Sequence, residues 1–347
     1  MKKTLVAIAA IAATTGAMAQ ATITGSVQAG TNQFSYSTSG AASVTSLTLE
    51  DSNGNTVFNI GDTEDLGGGL MFKGNIAVEM GLSSQAFGAN GVNETYASLT
   101  GGFGGIKAGA LQTPQFLAIA AGDAGGGLLI SNLVFSNNTH QGGTIGSAVL
   151  LQTKSLQYVL PTFVDGLSLK YQTGLGAQTD NTSNSNHYAA DFKSGPFAAG
   201  VAYSDYKQTS STTDSANTYY ANYDMGPVKL QTLWGSAKTA GASTVNSTSM
   251  GFTVPMGAAT FMYNHSSSDG RIWNDIVTTG TASIAASAVS AVDQAADFIG
   301  VSYTLAPRTT AYAAYFRETG NDSTGKSAGI AATSNWSTTR FIVIHSF

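Results

Sequence analysis

The stretch YAADFKSGPFAAGVAY, residues 188–203, decides the fold class, because two alternating patterns meet in it at a turn. Every second residue before Gly195-Pro196 is apolar, beginning at Tyr188, while Asp191 and Lys193 take the other parity. The apolar residues resume with the same period after the turn. A period of two is that of a β-strand with different surroundings on its two faces, and Gly-Pro marks a turn. The stretch therefore predicts a β-hairpin with one apolar face.

The same rhythm continues along the chain. Tight turns are predicted at about residues 62–67, 101–104, 161–166, 194–196, 225–227, 255–257 and 305–308, and the other links are long and rich in Ser, Thr, Asn and Gly. Seven short turns separating eight long loops require sixteen strands. Short turns at one end and long loops at the other are typical of a membrane β-barrel, whose closure leaves no unpaired backbone edge in lipid. The sequence predicts an all-β fold, a 16-stranded antiparallel transmembrane β-barrel with long extracellular loops and short periplasmic turns.

The first nineteen residues have the anatomy of a signal peptide. Lys2 and Lys3 form a positive n-region, Leu5–Ala13 a short apolar region, and Ala17-Met18-Ala19 a cleavage site. We expect export of a mature chain, residues 20–347, to the outer membrane of a Gram-negative bacterium.

Composition excludes several classes of protein. Only 10% of the residues are charged, against about a quarter in an ordinary soluble domain. Removal of Lys2 and Lys3 leaves 13 basic against 20 acidic residues, a net charge of −7, which argues against nucleic acid as a partner. The chain has no cysteine, and none of its four histidines belongs to a metal or nucleophile motif. We therefore expect no enzyme activity, no metal and no cofactor.

The chain ends in the apolar stretch RFIVIHSF, residues 340–347. Phe341, Val343 and Phe347 share one parity, which is predicted to face lipid while the strand pairs with the first strand and closes the ring. Ile342 and Ile344 fall on the inward parity, and packing beneath an inward-folded loop is one explanation for them.

Four segments carry a family resemblance: GDTEDLGGGL at 61–70, GGFGGIKAG at 101–109 followed by Gln112-Thr113-Pro114, SLQYVLP at 155–161, and His345-Ser346-Phe347. They resemble the trimeric general porins of betaproteobacteria, the Neisseria-like porins. The resemblance implies a sixteen-stranded barrel, usually a homotrimer, whose third long loop folds inward to narrow the pore. It also implies that His345 and Phe347 form the signal read by the outer-membrane assembly machinery.

The departures from this family lie at the pore. Such porins commonly carry arginines at the positions matched here by Val57, Ala110 and Gln157. Their absence puts the family's anion preference in doubt for this chain.

Strand parity selects Lys73, Lys107 and Lys170 as candidate constriction residues, and the position of the loop at about residues 112–154 selects Asp123. The family resemblance adds Gln157, which matches one of the missing arginines. Asp123 is expected to oppose Lys107 across the lumen, where the two would set a transverse field.

The sequence predicts a water-filled channel for passive diffusion of small hydrophilic solutes and ions, with weak ion selectivity. Two alternatives stay open: a substrate-specific porin, and a surface adhesin or receptor barrel supported by the long loop at about residues 266–295. If the protein is a channel, its expected partners are the solutes, outer-membrane lipid, the assembly machinery and two further copies of the chain.

Overall fold

A computed structural model describes most of the barrel wall and the start of the third loop. The described residues are 21–38, 44–49, 56–80, 93–125, 151–175, 185–206, 213–239, 244–269, 271–272, 289–290, 293–321 and 333–347. The predicted signal peptide and most of the predicted constriction loop lie outside them.

Nineteen strands and one helix, α1 (Pro114–Gly122), make up the described fold. The strands are β1 (Thr22–Thr38), β2 (Val44–Leu49), β3 (Val57–Gly67), β4 (Leu70–Glu79), β5 (Thr95–Gly101), β6 (Gly104–Gln112), β7 (Leu151–Val159), β8 (Leu167–Gly174), β9 (Ser185–Ser194), β10 (Phe197–Tyr206), β11 (Thr213–Asp224), β12 (Lys229–Thr239), β13 (Thr244–Met256), β14 (Ala259–Ser268), β15 (Arg271–Ile272), β16 (Val289–Ser290), β17 (Asp293–Ala306), β18 (Thr309–Asn321) and β19 (Thr333–Ser346).

The sheet closes on itself as predicted. Strands β2 and β3 both pair with β1, so they are two segments of one barrel strand, and the ring has sixteen antiparallel strands with the β15–β16 ribbon outside it. The last strand, β19, pairs with β1 from Ser26↔Ser346 to Thr38↔Ser334. Gly25 and Phe347 exchange backbone hydrogen bonds of 3.1 and 3.0 Å, which brings the chain's last residue into the ring.

The first tight turn differs from the prediction. Residues 62–67 continue β3 and pair with β4, and the chain reverses at Gly68-Gly69. Gly67, Gly68 and Gly69 have φ values of 83°, 63° and 80°, a region that side chains with a Cβ rarely adopt. The polar run before these glycines is therefore strand, and the glycines alone set the reversal.

One parity of the wall carries large apolar side chains outward. Its exposed members include Tyr188, Phe192, Phe197, Tyr203, Tyr219, Tyr223, Leu230, Trp234, Ile299, Tyr303, Tyr315, Phe341 and Val343. Rings on adjacent strands contact each other, as Tyr171 and Tyr188 do with centroids 5.1 Å apart. The hairpin at residues 188–203 thus presents its apolar face outside the barrel.

The opposite parity is buried inside the barrel along much of the wall. Ile342 is 2% exposed and lies in one apolar cluster with Phe298, Phe316 and Met262, which also point inward. The same cluster contains Ala118 and Ile119 of α1. The inward isoleucine of the last strand therefore belongs to a packed interior.

Candidate channel constriction

The helix α1 begins the third loop inside the barrel. Thr113 caps its N-terminus, where the threonine Oγ1 accepts a hydrogen bond of 3.2 Å from the backbone N–H of Phe116, and Pro114 occupies the first turn. Cap and proline together are a strong start signal for a helix. The alternation pattern does not predict this helix, although Thr113-Pro114 is its local signature.

Polar side chains of the wall hold both ends of α1. At the N-terminal end, the amide of Gln115 donates to Thr218 Oγ1 and accepts from Ser204 Oγ at 3.3 Å. At the C-terminal end, Asn222 donates to the carbonyl of Ala121 at 2.8 Å. Gln231 donates to the carbonyl of Asp123 at 2.7 Å. The helix is therefore fixed to the inner face of β10, β11 and β12.

Two glycines allow the chain to lie this close to the wall. A Cβ at Gly122 would stand 2.5 Å from Leu233, and one at Gly251 would stand 2.8 Å from the Cβ of Ala124. Real Cβ contacts are longer than 3.0 Å. The segment after the helix can cross β12 and β13 only because both positions lack a side chain.

Gln157, a predicted constriction residue, belongs to a buried chain of amides. It donates to Gln172 at 2.8 Å, Gln172 donates to Gln152 at 3.0 Å, and Gln152 donates to the carbonyl of Ser185 at 3.0 Å. The pairing of β6 with β7 shifts register between Gly109 and Leu111. That bulge lets Gln152 and Gln157, an odd number of residues apart, point to the same side.

Lys107 is paired with an acid that the sequence analysis did not name. Its Nζ forms an ion pair with Glu94 Oε2 and lies 3.9 Å from the ring centroid of Tyr96. Glu94 Oε1 accepts a hydrogen bond of 3.0 Å from the backbone N–H of Gln112, at the root of the third loop. Sequence reasoning missed Glu94, although it shares the parity of Tyr96 and Ser98 and could have been found from that alternation.

Lys170 is paired in a similar way. Its Nζ lies 2.9 Å from Asp191 Oδ2, and Tyr220 donates its hydroxyl to Asp191 Oδ1 at 2.9 Å. Both lysines are only partly exposed, at 20% for Lys107 and 24% for Lys170. The two cations predicted to charge the lumen are thus each compensated by a neighbouring carboxylate.

The remaining predicted residues fall in different places. Lys73 is exposed and pairs in register with Ser98, which pairs with Lys107, so all three share the inward parity. Asp123 is only 2% exposed at the edge of α1, so it does not line the open lumen as predicted. The burial follows from the docking of its backbone on Gln231.

Two of the three positions that lack the family's arginine do not face the open lumen. Val57 is inward but 6% exposed, within the packed wall. Ala110 pairs with Thr95, on the parity of the exposed Ala97 and Ala108, so its side chain points away from the lumen. Of these positions, Gln157 is the one whose side chain adjoins Lys107 across the β6–β7 pair.

A cavity of about 590 Å³ lies on the short-turn side of Lys107. Its lining includes Tyr96, Ser98, Thr100, Lys107 and Gln157, together with the turn that follows β7. Hydroxyl, amide and aromatic groups make this part of the lumen wettable.

The terminal residues point outward at the short-turn end. The ring of Phe347 lies 5.4 Å from that of Phe58, and His345 Nδ1 lies 2.9 Å from the hydroxyl of Thr309. Their role as an assembly signal stays a prediction.

The family model described as "Gram-negative porin" matches residues 6–323 of the chain. This chain belongs to the Gram-negative porin family. The porin fold also recurs in solved structures of low identity. An anion-selective porin from Comamonas acidovorans is 18% identical with a TM-score of 0.70, over 95% of this chain and 100% of that one.

Two structures from Vibrio cholerae are similar to this porin in fold. The loop L8 deletion mutant of OmpT is 12% identical with a TM-score of 0.68, over 94% of this chain and 99% of that one. The trimer form of in-vitro folded OmpT is 13% identical with a TM-score of 0.59, over 94% and 99%. None of the curated protein sequences matches the porin.

Family and fold make this porin a channel of the bacterial outer membrane. Among the described residues no helix is long and apolar enough to cross a membrane. In the same residues no group of three or more His, Cys, Asp or Glu side chains is arranged to hold a metal ion.

Proposed function

We propose that this porin allows passive diffusion of small hydrophilic solutes and ions with weak selectivity between anions and cations. The observation that carries the proposal is the pairing of Lys107 with Glu94 and of Lys170 with Asp191. Low-dielectric walls focus the field of a net fixed charge on the lumen. A compensated pair presents only a dipole, whose field falls faster with distance.

Among the described residues, a few further charges lie on the inward parity near the short turns. Lys73 and Lys193 are exposed there, and the exposed acid Asp224 is the register partner of Lys229. Charges beyond about 8–10 Å are largely screened at ordinary salt. We expect less anion preference than in the Comamonas porin that is described as anion-selective.

Reversal potentials in a KCl gradient across a planar bilayer test the proposal. Unmodified protein should give a small potential. Lys107→Glu should shift it toward cations, and Glu94→Gln should shift it toward anions by releasing Lys107. Lys238→Glu is the matched control, because Lys238 is exposed on the outward parity of β12. Strong anion selectivity of the unmodified channel, or equal shifts from Lys107→Glu and Lys238→Glu, would contradict the proposal.

The proposal extends to assembly. A homotrimer is supported by the likeness in fold to the trimer form of OmpT. We also propose that the chain is cleaved after Ala19 and that its exposed aromatic face contacts lipid. The assembly machinery would recognise His345 and Phe347. It assigns the chain no catalytic activity and no cofactor.

A further inference from the structure

Three ionisable side chains form a group on the outside of the barrel. Asp297 of β17 is the register partner of His265 on β14 and of Arg317 on β18. It shares the parity of Ile299, which is exposed on the outward face. Asp297 Oδ1 accepts hydrogen bonds of 2.9 Å from His265 Nδ1 and from the hydroxyl of Tyr263. The group therefore faces away from the channel.

The group lies at the outer edge of the wall's apolar band. One step nearer the short turns, the outward residues of the same three strands are Tyr263, Ile299 and Tyr315. Arg317 is the ninth residue of β18, which begins beside a short turn. At about 3.4 Å per residue and a tilt of about 40°, it lies roughly 21 Å above that turn. Since the apolar band of such barrels is about 25 Å tall, this is the level of the outer lipid headgroups.

The group offers hydrogen-bond donors to that layer. Arg317 is exposed, and its guanidinium has five N–H donors, more than one carboxylate can accept. His265 is half-exposed, and its protonated ring donates from Nε2 as well as from the Nδ1 bound to Asp297. Asp297 balances only one positive charge, so the group is cationic when His265 is protonated. A lipid phosphate, with its negative charge and several acceptor oxygens, is complementary to such a group.

An ion pair with Asp297 is the simpler explanation for Arg317. Exposed ion pairs contribute little to stability, and a carboxylate between two donors orients them while leaving further N–H groups for another anion. The position of the group separates the two explanations. A structural ion pair needs no apolar surface beside it, whereas a lipid needs acyl contacts directly below its phosphate. Tyrosine suits this boundary, because one end of its side chain is apolar and the other is polar.

We propose that Arg317 and His265 bind a phosphate group of an outer-leaflet lipid, while Asp297 holds both side chains in position. Arginine binds phosphate through two parallel N–H contacts, a geometry that lysine does not reproduce. Tyr315 and Ile299 contact the first part of the acyl chains of the same lipid. The site thereby holds one lipid molecule against β14, β17 and β18, on the opposite side of the wall from the channel.

Native mass spectrometry of folded, delipidated protein in detergent counts the lipid molecules that bind. The probes are lipid A, which carries phosphate groups, the same lipid after enzymatic removal of its phosphates, and inorganic phosphate. Arg317→Gln and His265→Gln remove the proposed donors. Lys238→Gln is the matched control, because it removes an exposed cation at the tenth residue of β12, at a similar height on the outward face. Heat modifiability on gels shows that each variant is folded.

Lipid A should bind the unmodified protein and Lys238→Gln equally, and bind Arg317→Gln about tenfold or more weakly, as expected for the loss of hydrogen bonds to a charged group. His265→Gln should weaken binding severalfold. Equal binding of the dephosphorylated lipid to the unmodified protein would show that acyl contacts alone hold the lipid, and this comparison needs no variant.

Three further results would overturn the proposal. Unchanged binding to Arg317→Gln would reduce the group to an ion pair, and an equal loss in Lys238→Gln would reduce the effect to general surface charge. Displacement of lipid A by an equal concentration of inorganic phosphate would assign the site to free phosphate. Because the group faces away from the lumen, each of these outcomes leaves the proposed channel function unaffected.

Discussion

The close packing of α1 on the wall makes Gly122 a sensitive position of the constriction. An alanine methyl there would stand 2.5 Å from both Cγ and Cδ2 of Leu233 and 3.0 Å from the carbonyl oxygen of Thr232. Carbon atoms in contact prefer about 3.5–4.0 Å, so the chain must move by roughly 1 Å. Leu233 is fully buried in the wall, and the end of α1 is therefore expected to move toward the lumen.

That movement would break the hydrogen bonds that hold α1 beside Gly122. These are donated by Asn222 and Gln231 to backbone carbonyls, at 2.8 and 2.7 Å. Each contributes about 0.5–1.5 kcal/mol. Remaining in place costs a similar amount, since overpacking a dense interior costs about 1–3 kcal/mol. Gly122→Ala should therefore lower the free energy of unfolding by about 1–3 kcal/mol and narrow the channel.

Single-channel conductance in a planar bilayer, with urea unfolding of the same preparation, measures both effects. Conductance of Gly122→Ala should fall below the spread of unmodified channels. Gly61→Ala is the control, because its Cβ would also face the inner wall but meets its nearest atom at 3.5 Å. Unchanged conductance and stability in Gly122→Ala, or equal changes in Gly61→Ala, would refute the close-seating argument.

Three further predictions concern folding and export. Gln172→Leu removes the acceptor of the Gln157 amide nitrogen and the donor to the Gln152 amide oxygen, so it should lower the free energy of unfolding by about 2–5 kcal/mol in a urea titration. Gln33→Leu on the exposed face is the control and should change it by less than about 0.5 kcal/mol. Deletion of Phe347 removes its ring contact with Phe58 and its backbone hydrogen bonds to Gly25. We expect gels to show proteolysed product in place of the heat-modifiable barrel, and a normal yield of folded barrel would contradict this. Edman sequencing of the exported protein should begin at Gln20, and a start elsewhere would displace the predicted cleavage site.

The sequence by itself was sufficient for the barrel. A period of two, punctuated by glycine turns, is a local property of each hairpin, so the strand count and closure follow without knowledge of distant contacts. The inward parity of Lys73, Lys107 and Lys170 follows from the same count.

Only the tertiary structure decided the constriction, because its contacts join residues far apart in the chain. Gln115 and Thr218 are 103 positions apart, and Asp123 and Gln231 are 108 apart. These contacts bury Asp123, which the sequence placed in the lumen. Bulges act in the same way: the register shift between β6 and β7 beside Gly109 brings Gln152 and Gln157 to one side. A one-residue slip reverses every side chain beyond it, and alternation in the sequence alone does not show where the slip occurs.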